Sequence, residues 1–329
     1  LKNTAIIRKL RGIHPLTIEC NVNFQTTLQN PITCVGVGLH SGKDVRLTVT
    51  PAAAGHGIVF KRLDVTPEQA LVPARYNLVA ETRLGTTIRN QFGVGVSTIE
   101  HLMAALWGAG VDNALVELDG PEVPIMDGSS EPFTFMLECA GVKALAAPRR
   151  ILKLLKTVEV SEGGSTASVS PNTEGDEGCV IDITIDFGDQ VIRRQSARYD
   201  FRDVTFKQAL SRARTFGFEH EVDAMRKSGL ALGGSLDNAI VVGKDRILNE
   251  GGLRFGDEFV RHKALDCIGD LYLAGVRMDG AFRFVRPGHG INNKLLRAVF
   301  ADSSSYIIQQ EDETAAAYAS LETRAAAFA

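Results

Sequence analysis

The sequence predicts an α+β fold of two similar domains, each a β-sheet with a pair of helices, packed as a sandwich with the helix layers facing each other. Three observations predict it. Strand-like alternation dominates from about residue 31 ("DVRLTVTP", "GIVFKRL", "NALVELDG"), and helix-spaced apolar residues interrupt it at 97–108, 130–140, 257–273 and 292–300. "LTVTPAAAGHGIVF" (47–60) and "ASVSPNTEGDEGCVIDITI" (167–185) both run Val, Thr or Ser, Pro, a Gly-containing loop and an alternating strand. "EHLMAALWGAGVDNALVELDG" (100–120) and "RHKALDCIGDLYLAGVRMDGAFRF" (261–284) both run helix, Gly, strand, Asp-Gly, and a histidine opens each region, His101 or His262. Such a duplication brings the two histidine-bearing helices face to face across a pseudo-symmetric interface.

Taken in order, residues 1–24 read as an N-terminal extension, with Lys2, Arg8, Lys9 and Arg11 and no acid before Glu19. The first domain spans 25–146. Its 97–108 helix is expected to start at Ser97, and Ser97-x-x-Glu100 matches a capping box in which Glu100 reaches back to the Ser97 N–H. "ALAAPRR" (144–150), which follows a helix and contains Pro148, is the expected linker. The second domain spans 147–310. Asp257 is placed to cap its 257–273 helix and Gly275 to end it, while Asn292 or Asn293 caps the next. Residues 311–329 form a tail.

Bulk composition excludes several classes of function. With 329 residues, 44% hydrophobic and 23% charged, the chain is globular and long enough for two cores. A net charge of −3 gives no reason to expect nucleic acid as partner. No apolar run reaches the roughly 18 residues of a membrane span, so any lipid contact is peripheral. Five scattered cysteines (Cys20, Cys34, Cys139, Cys179, Cys267) form no C-x-x-C, which argues against a disulfide framework or a structural zinc site and suits a reducing cytoplasm.

The chemistry-bearing residues gather on the repeated helices. His262 and Asp266 are i, i+4 on one helix face, Asp270 extends the stripe, and Lys263 lies beside it. Such a stripe is either a solvated polar face or two ligands a turn apart. In the second case His101 is the distant third ligand, and three ligands leave the fourth tetrahedral position of zinc for water. Glu100, next to a ligand, is then placed as a base, because zinc lowers that water's pKa from about 15.7 to roughly 7. His289, between two glycines in "RPGHGINNKLL" (286–296), is either a turn residue or, held cationic by Asp270, an acid for a departing amine.

The segments "GVGLHSGK" (36–43), "STIEHLMAAL" (97–106), "VPIMDGSSEPF" (123–133), "SRARTFGF" (211–218), "GGSLDNAIVV" (233–242), "RHKALDCIGDLYLAG" (261–275) and "GHGINNK" (288–294) resemble, in this order, the zinc-dependent UDP-3-O-acyl-N-acetylglucosamine deacetylases of lipid A biosynthesis. The resemblance covers about residues 25 to 300. It implies hydrolysis of an N-acetyl amide by a cytoplasmic monomer acting on an amphipathic nucleotide-sugar. It implies His101, His262 and Asp266 as ligands of Zn2+, with Fe2+ as the alternative metal, Glu100 as general base, and His289 as acid or electrostatic stabiliser oriented by Asp270. Thr215 matches the residue that helps hold the oxyanion, and Lys263 contacts the oxyanion region or the diphosphate. Leu84, Phe216, Phe218 and Gly288 fall among the implied substrate contacts. The chain departs from some members at Gly85, where they carry a cysteine. A different zinc amidohydrolase would keep the same four metal-site residues without the nucleotide end, whereas a binding module is expected to lack at least one of them, and none is missing.

Overall fold

The computed structural model describes residues 24–173 and 177–310. The duplication seen in the sequence is a duplication of topology. The first sheet orders its strands Ile32–Val37, Asp44–Pro51, Ala114–Leu118, Ile58–Arg62 and Leu71–Pro73. Its central strand 114–118 runs antiparallel to 44–51 and parallel to 58–62. The second sheet repeats that order and those senses with Val158–Glu162, Ser165–Ser170, Arg277–Val285, Cys179–Asp186 and Arg194–Asp200. Two further strands, Arg150–Leu154 and Tyr306–Gln310, bring it to seven. Alternation explains both sheets: in "DVRLTVTP" Val45, Leu47 and Val49 point into the core while Asp44, Arg46 and Thr48 face outward.

Besides three smaller sheets, the described residues hold six α-helices: α1 (Glu100–Gly108), α2 (Glu131–Ala140), α3 (Phe206–Ala209), α4 (Glu219–Lys227), α5 (Glu258–Leu271) and α6 (His289–Ala301). α1 packs on α2 and α5, and α5 on α6, so the two helix layers meet at α1 and α5. α5 and α6 cover the second sheet. Being enclosed on all sides, α1 is buried from Glu100 to Trp107, which replaces the single buried face expected from its apolar spacing. The contact between layers is very close. A Cβ at Gly269 of α5 would lie 2.1 Å from the Glu100 carbonyl oxygen, so only glycine lets the two helices approach this far. Arg149 and Arg277 close the far end of α1, donating to the Gly110 and Trp107 carbonyls where the helix dipole is negative.

Several local expectations are corrected. α1 starts at Glu100, not Ser97. Thr98 adopts a left-handed backbone (φ 57°), which takes Ser97 out of line with the helix, and the Ser97 hydroxyl accepts from Thr87 instead. Glu100 therefore makes no capping box. The expected linker 144–150 is mostly strand: Val142–Pro148 pairs antiparallel with Phe24–Leu28, and Arg149 is buried between that strand and the next. Asp257 does occupy the N-cap of α5, but its carboxylate takes Arg261 Nε at 2.6 Å and no backbone N–H. Gly275 ends this region as expected, left-handed at φ 75° after a 3-10 turn. α6 begins at His289 with Gly288 as its N-cap, so His289 is a first-turn helical residue, not a loop residue, and Asn292 and Asn293 lie inside the helix and do not cap it. The extension (1–24, but for Phe24) and the tail (311–329) lie outside the described residues, as does Cys20. The cysteines that are described, Cys34, Cys139, Cys179 and Cys267, are all free. No helix of the described residues is long and apolar enough to cross a membrane.

Candidate active site

The α1–α5 seam brings the two repeated histidines together, their rings edge to face with centroids 5.0 Å apart. His101 Nε2 lies 3.6 Å and His262 Nε2 3.4 Å from Asp266 Oδ1. The stripe on α5 is thus no solvated face: His262, Asp266 and Asp270 are all buried. One nitrogen and one oxygen are already committed elsewhere. His262 Nδ1 donates to the Ala213 carbonyl at 3.0 Å, which leaves the Nε2 lone pair directed at the cluster. Lys263 donates to Asp266 Oδ2 at 2.8 Å, leaving Oδ1 as the buried oxygen without a hydrogen-bond partner among the described residues. Burial pushes the His262 imidazole down to about 4 against the pull of Asp266, so it is neutral, the form that ligates. Burial would raise the Asp266 carboxyl, but His262 and Lys263 hold it well below the usual carboxylate range.

The His262 Nε2 lone pair and Asp266 Oδ1 therefore face the same point as His101 Nε2, while His101 Nδ1 has no hydrogen-bond partner among the described residues. The ligand atoms of His101, His262 and Asp266 all lie within 4.8 Å of one another. A tetrahedral ion with bonds of about 2.0–2.2 Å separates its ligand atoms by roughly 3.3–3.6 Å, which the His101–Asp266 and His262–Asp266 spacings match. The donor set fits a metal ion.

Beside this cluster, Glu100 is 3% exposed, and its Oε2 accepts from the Thr86 N–H at 2.9 Å. Its Oε1 faces Gly85, where a Cβ would come within 2.9 Å, so the missing side chain keeps that oxygen open. Burial raises the Glu100 pKa above its ordinary value, as a proton acceptor near neutrality requires, and the charge on His289 limits the rise. Across the site, Asp270 Oδ2 accepts from His289 Nδ1 and from Asn292 Nδ2, both at 2.8 Å. Its Oδ1 accepts from the Thr86 hydroxyl at 2.5 Å. Burial alone would lower the His289 pKa, but the Asp270 charge and hydrogen bond carry it to about 9.

The stretch from Thr215 to Val241 closes the site. Thr215 is fixed through its backbone by Gly128 and Ile240, at 2.7 and 2.8 Å. It lines a cavity of about 430 Å³ with Leu84, Phe216, Val222, Met225 and Leu236, among others. Phe216 stacks edge-on to Phe259 at 5.0 Å and lies 6.1 Å from the His262 ring, so the cavity opens beside the ligand cluster. Phe218 stands further out, against Phe187 and His220. Gly288 has open space where a side chain would project. Sequence reasoning missed Thr86, which touches both carboxylates through one backbone and one hydroxyl bond, and no motif marks it. It also gave Asn292 a capping role, whereas Asn292 serves Asp270.

The family model for UDP-3-O-acyl N-acetylglycosamine deacetylases matches residues 25–301. The chain belongs to that family. It is 49% identical over 284 residues, 86% of this chain and 92% of the relative, to the UDP-3-O-acyl-N-acetylglucosamine deacetylase of Stenotrophomonas maltophilia strain K279a. The protein of the same description from strain R551-3 is 48% identical over the same length. The deacetylase thus carries its buried His-His-Asp cluster on the two repeated helices, one side chain from α1 and two from α5.

Proposed function

We propose that the enzyme hydrolyses the N-acetyl group of UDP-3-O-(3-hydroxyacyl)-N-acetylglucosamine, releasing acetate and a free amine for lipid A biosynthesis. The observation that carries this reading is the buried convergence of His101, His262 and Asp266, beside a carboxylate with one open oxygen and at the edge of an apolar cavity. Zn2+ suits two imidazoles and one carboxylate oxygen, and Fe2+ accepts the same set. When bound, the ion supplies Lewis acidity that makes water a nucleophile near neutral pH and polarises the amide carbonyl.

The chain's own groups perform the remaining work. Glu100 Oε1 takes the proton of the attacking water, while the Thr86 N–H fixes its other oxygen. The Thr215 hydroxyl, which makes no hydrogen bond among the described residues, donates to the oxyanion of the tetrahedral intermediate. His289 holds a proton on each ring nitrogen: Nδ1–H is given to Asp270, and Nε2–H is left for the departing amine. Lys263 keeps Asp266 ionised and presents one approach for the diphosphate. The 3-hydroxyacyl chain lies in the cavity walled by Leu84, Phe216, Val222 and Met225. Phe218 and Gly288 line the outer approach. We assign residues 25–146 and 147–310 as the two domains and a cytoplasmic monomer as the working form.

The pH dependence follows from the two carboxylate-linked groups. Glu100 must be ionised and His289 protonated, so kcat/KM rises with pH through the raised Glu100 pKa and falls as pH passes about 9. The His289 pKa lies above its unfolded value of about 6.5. Its contribution to stability is therefore complete below that pH and is lost as pH rises through about 9. Asp270→Asn removes the charge that raises His289 and moves the alkaline limb to lower pH, which a pH profile of kcat/KM measures; an unmoved limb rules out His289 as the group responsible.

The function itself is tested by acetate release from UDP-3-O-(3-hydroxyacyl)-N-acetylglucosamine. Release is expected to stop on chelation and return with added Zn2+. Folded, zinc-loaded protein that releases no acetate from this substrate contradicts the reading.

A further inference from the structure

Glu122 is a buried carboxylate, 2% exposed, with no ion pair to any described residue. It is held by three hydrogen-bond donors. His40 N–H and Ser41 N–H, consecutive on one turn, donate to Oε1 and Oε2 at 2.8 and 2.9 Å, and the Thr98 hydroxyl donates to Oε1 at 3.0 Å. Two successive backbone N–H groups on one anion make a small nest.

The two sides of this carboxylate lead to different parts of the site. On one side, the 38–42 turn supplies Leu39 and His40 to the apolar cavity. It is closed by Gly42 N–H to the Gly38 carbonyl at 2.9 Å, and a Cβ at Gly38 would come within 2.5 Å of Glu122 Oε2. From the second domain, Leu232 and Gly233 N–H groups donate to the His40 and Leu39 carbonyls at 3.3 and 3.0 Å. On the other side, Thr98 is the left-handed residue two positions before Glu100 and sets where α1 begins.

We propose that Glu122 is a positioning residue that joins the acyl-cavity wall to the approach of the catalytic base, so that it governs how well the enzyme uses a long 3-O-acyl chain. The proposal rests on the reading that the cavity takes that chain. Glutamine at this position keeps the shape but removes the charge and turns one acceptor oxygen into an NH2 that faces a backbone donor. The turn then loses one of its two anchors and the cavity wall moves.

The test compares native enzyme, Glu122→Gln and Thr98→Ala on two substrates, one with a long 3-hydroxyacyl chain and one with only a 3-O-acetyl group. Glu122→Gln is expected to lower kcat/KM for the long chain by about tenfold or more, mainly through KM, and for the short one by less than about threefold. Thr98→Ala loosens only the α1 side, and is expected to lower kcat on both substrates by one common factor with the long-to-short ratio unchanged. Equal losses on both substrates for Glu122→Gln, or no loss on either, overturn the positioning role. So does a changed ratio or an unchanged kcat in Thr98→Ala, which keeps the proposal testable if the glutamine variant does not fold. Native enzyme that releases acetate from neither substrate contradicts the function itself and the positioning role with it.

Discussion

Glu100→Gln is expected to lower kcat by about 10²–10⁴-fold while metal content stays at the native level. The size follows from what is lost. Glutamine is isosteric and still accepts the Thr86 N–H, so the first turn of α1 and the Gly269 contact stay in place. What disappears is the proton acceptor at Oε1, the oxygen that Gly85 leaves open. Glu100 lies outside the His101, His262 and Asp266 group, so metal content measured by elemental analysis is expected to equal that of the native enzyme. Near-native turnover removes Glu100 from the role of base; loss of the metal places it among the ligands instead.

His262→Ala is expected to abolish stoichiometric metal binding and turnover together. In the proposed site the imidazole is one of three protein ligands, and its loss would leave Asp266 Oδ1 and His101 as a pair that no longer encloses an ion. Removing a partner that merely orients a ligand costs about 10–100-fold in metal affinity, and loss of the ligand itself costs more. The substitution also strands the Ala213 carbonyl and opens a cavity at a fully enclosed position, so a lower unfolding midpoint accompanies the loss. Metal measured after dialysis against a weak chelator decides the matter. Full occupancy in this variant removes His262 from the ligand set.

The repeat was legible in the sequence because each copy keeps the same order of chemically distinct signals, and both sheets share one strand order and one set of senses. The convergence of the candidate site residues was legible for a related reason. His262, Asp266 and Asp270 share one α5 stripe by helical spacing, and the duplication brings His101 to them. What the sequence did not show is set by backbone conformation or by distant pairing. Nothing in "STIEH" announces a left-handed Thr98, yet that one residue removes the Ser97 cap and directs the Glu100 carboxylate to Thr86. The 144–150 stretch reads as a linker because the strand it pairs with, Phe24–Leu28, is more than a hundred residues away and has no local signature. His289 looked like a loop residue between glycines, but Gly288 is an extended N-cap and the helix starts one residue later. Thr86 joins Glu100 to Asp270 across the two domains, a contact that only tertiary structure creates.

In the proposed site a zinc ion sits between α1 and α5 on His101, His262 and Asp266, with Glu100 alongside and unbonded to it. Anomalous diffraction measured across the zinc absorption edge, from crystals of the zinc-loaded protein, tests this most directly. The predicted result is one strong peak about 2.0–2.2 Å from His101 Nε2, His262 Nε2 and an Asp266 oxygen. A peak bonded to Glu100, or zinc bound in full stoichiometry at any other place in the molecule, would contradict it.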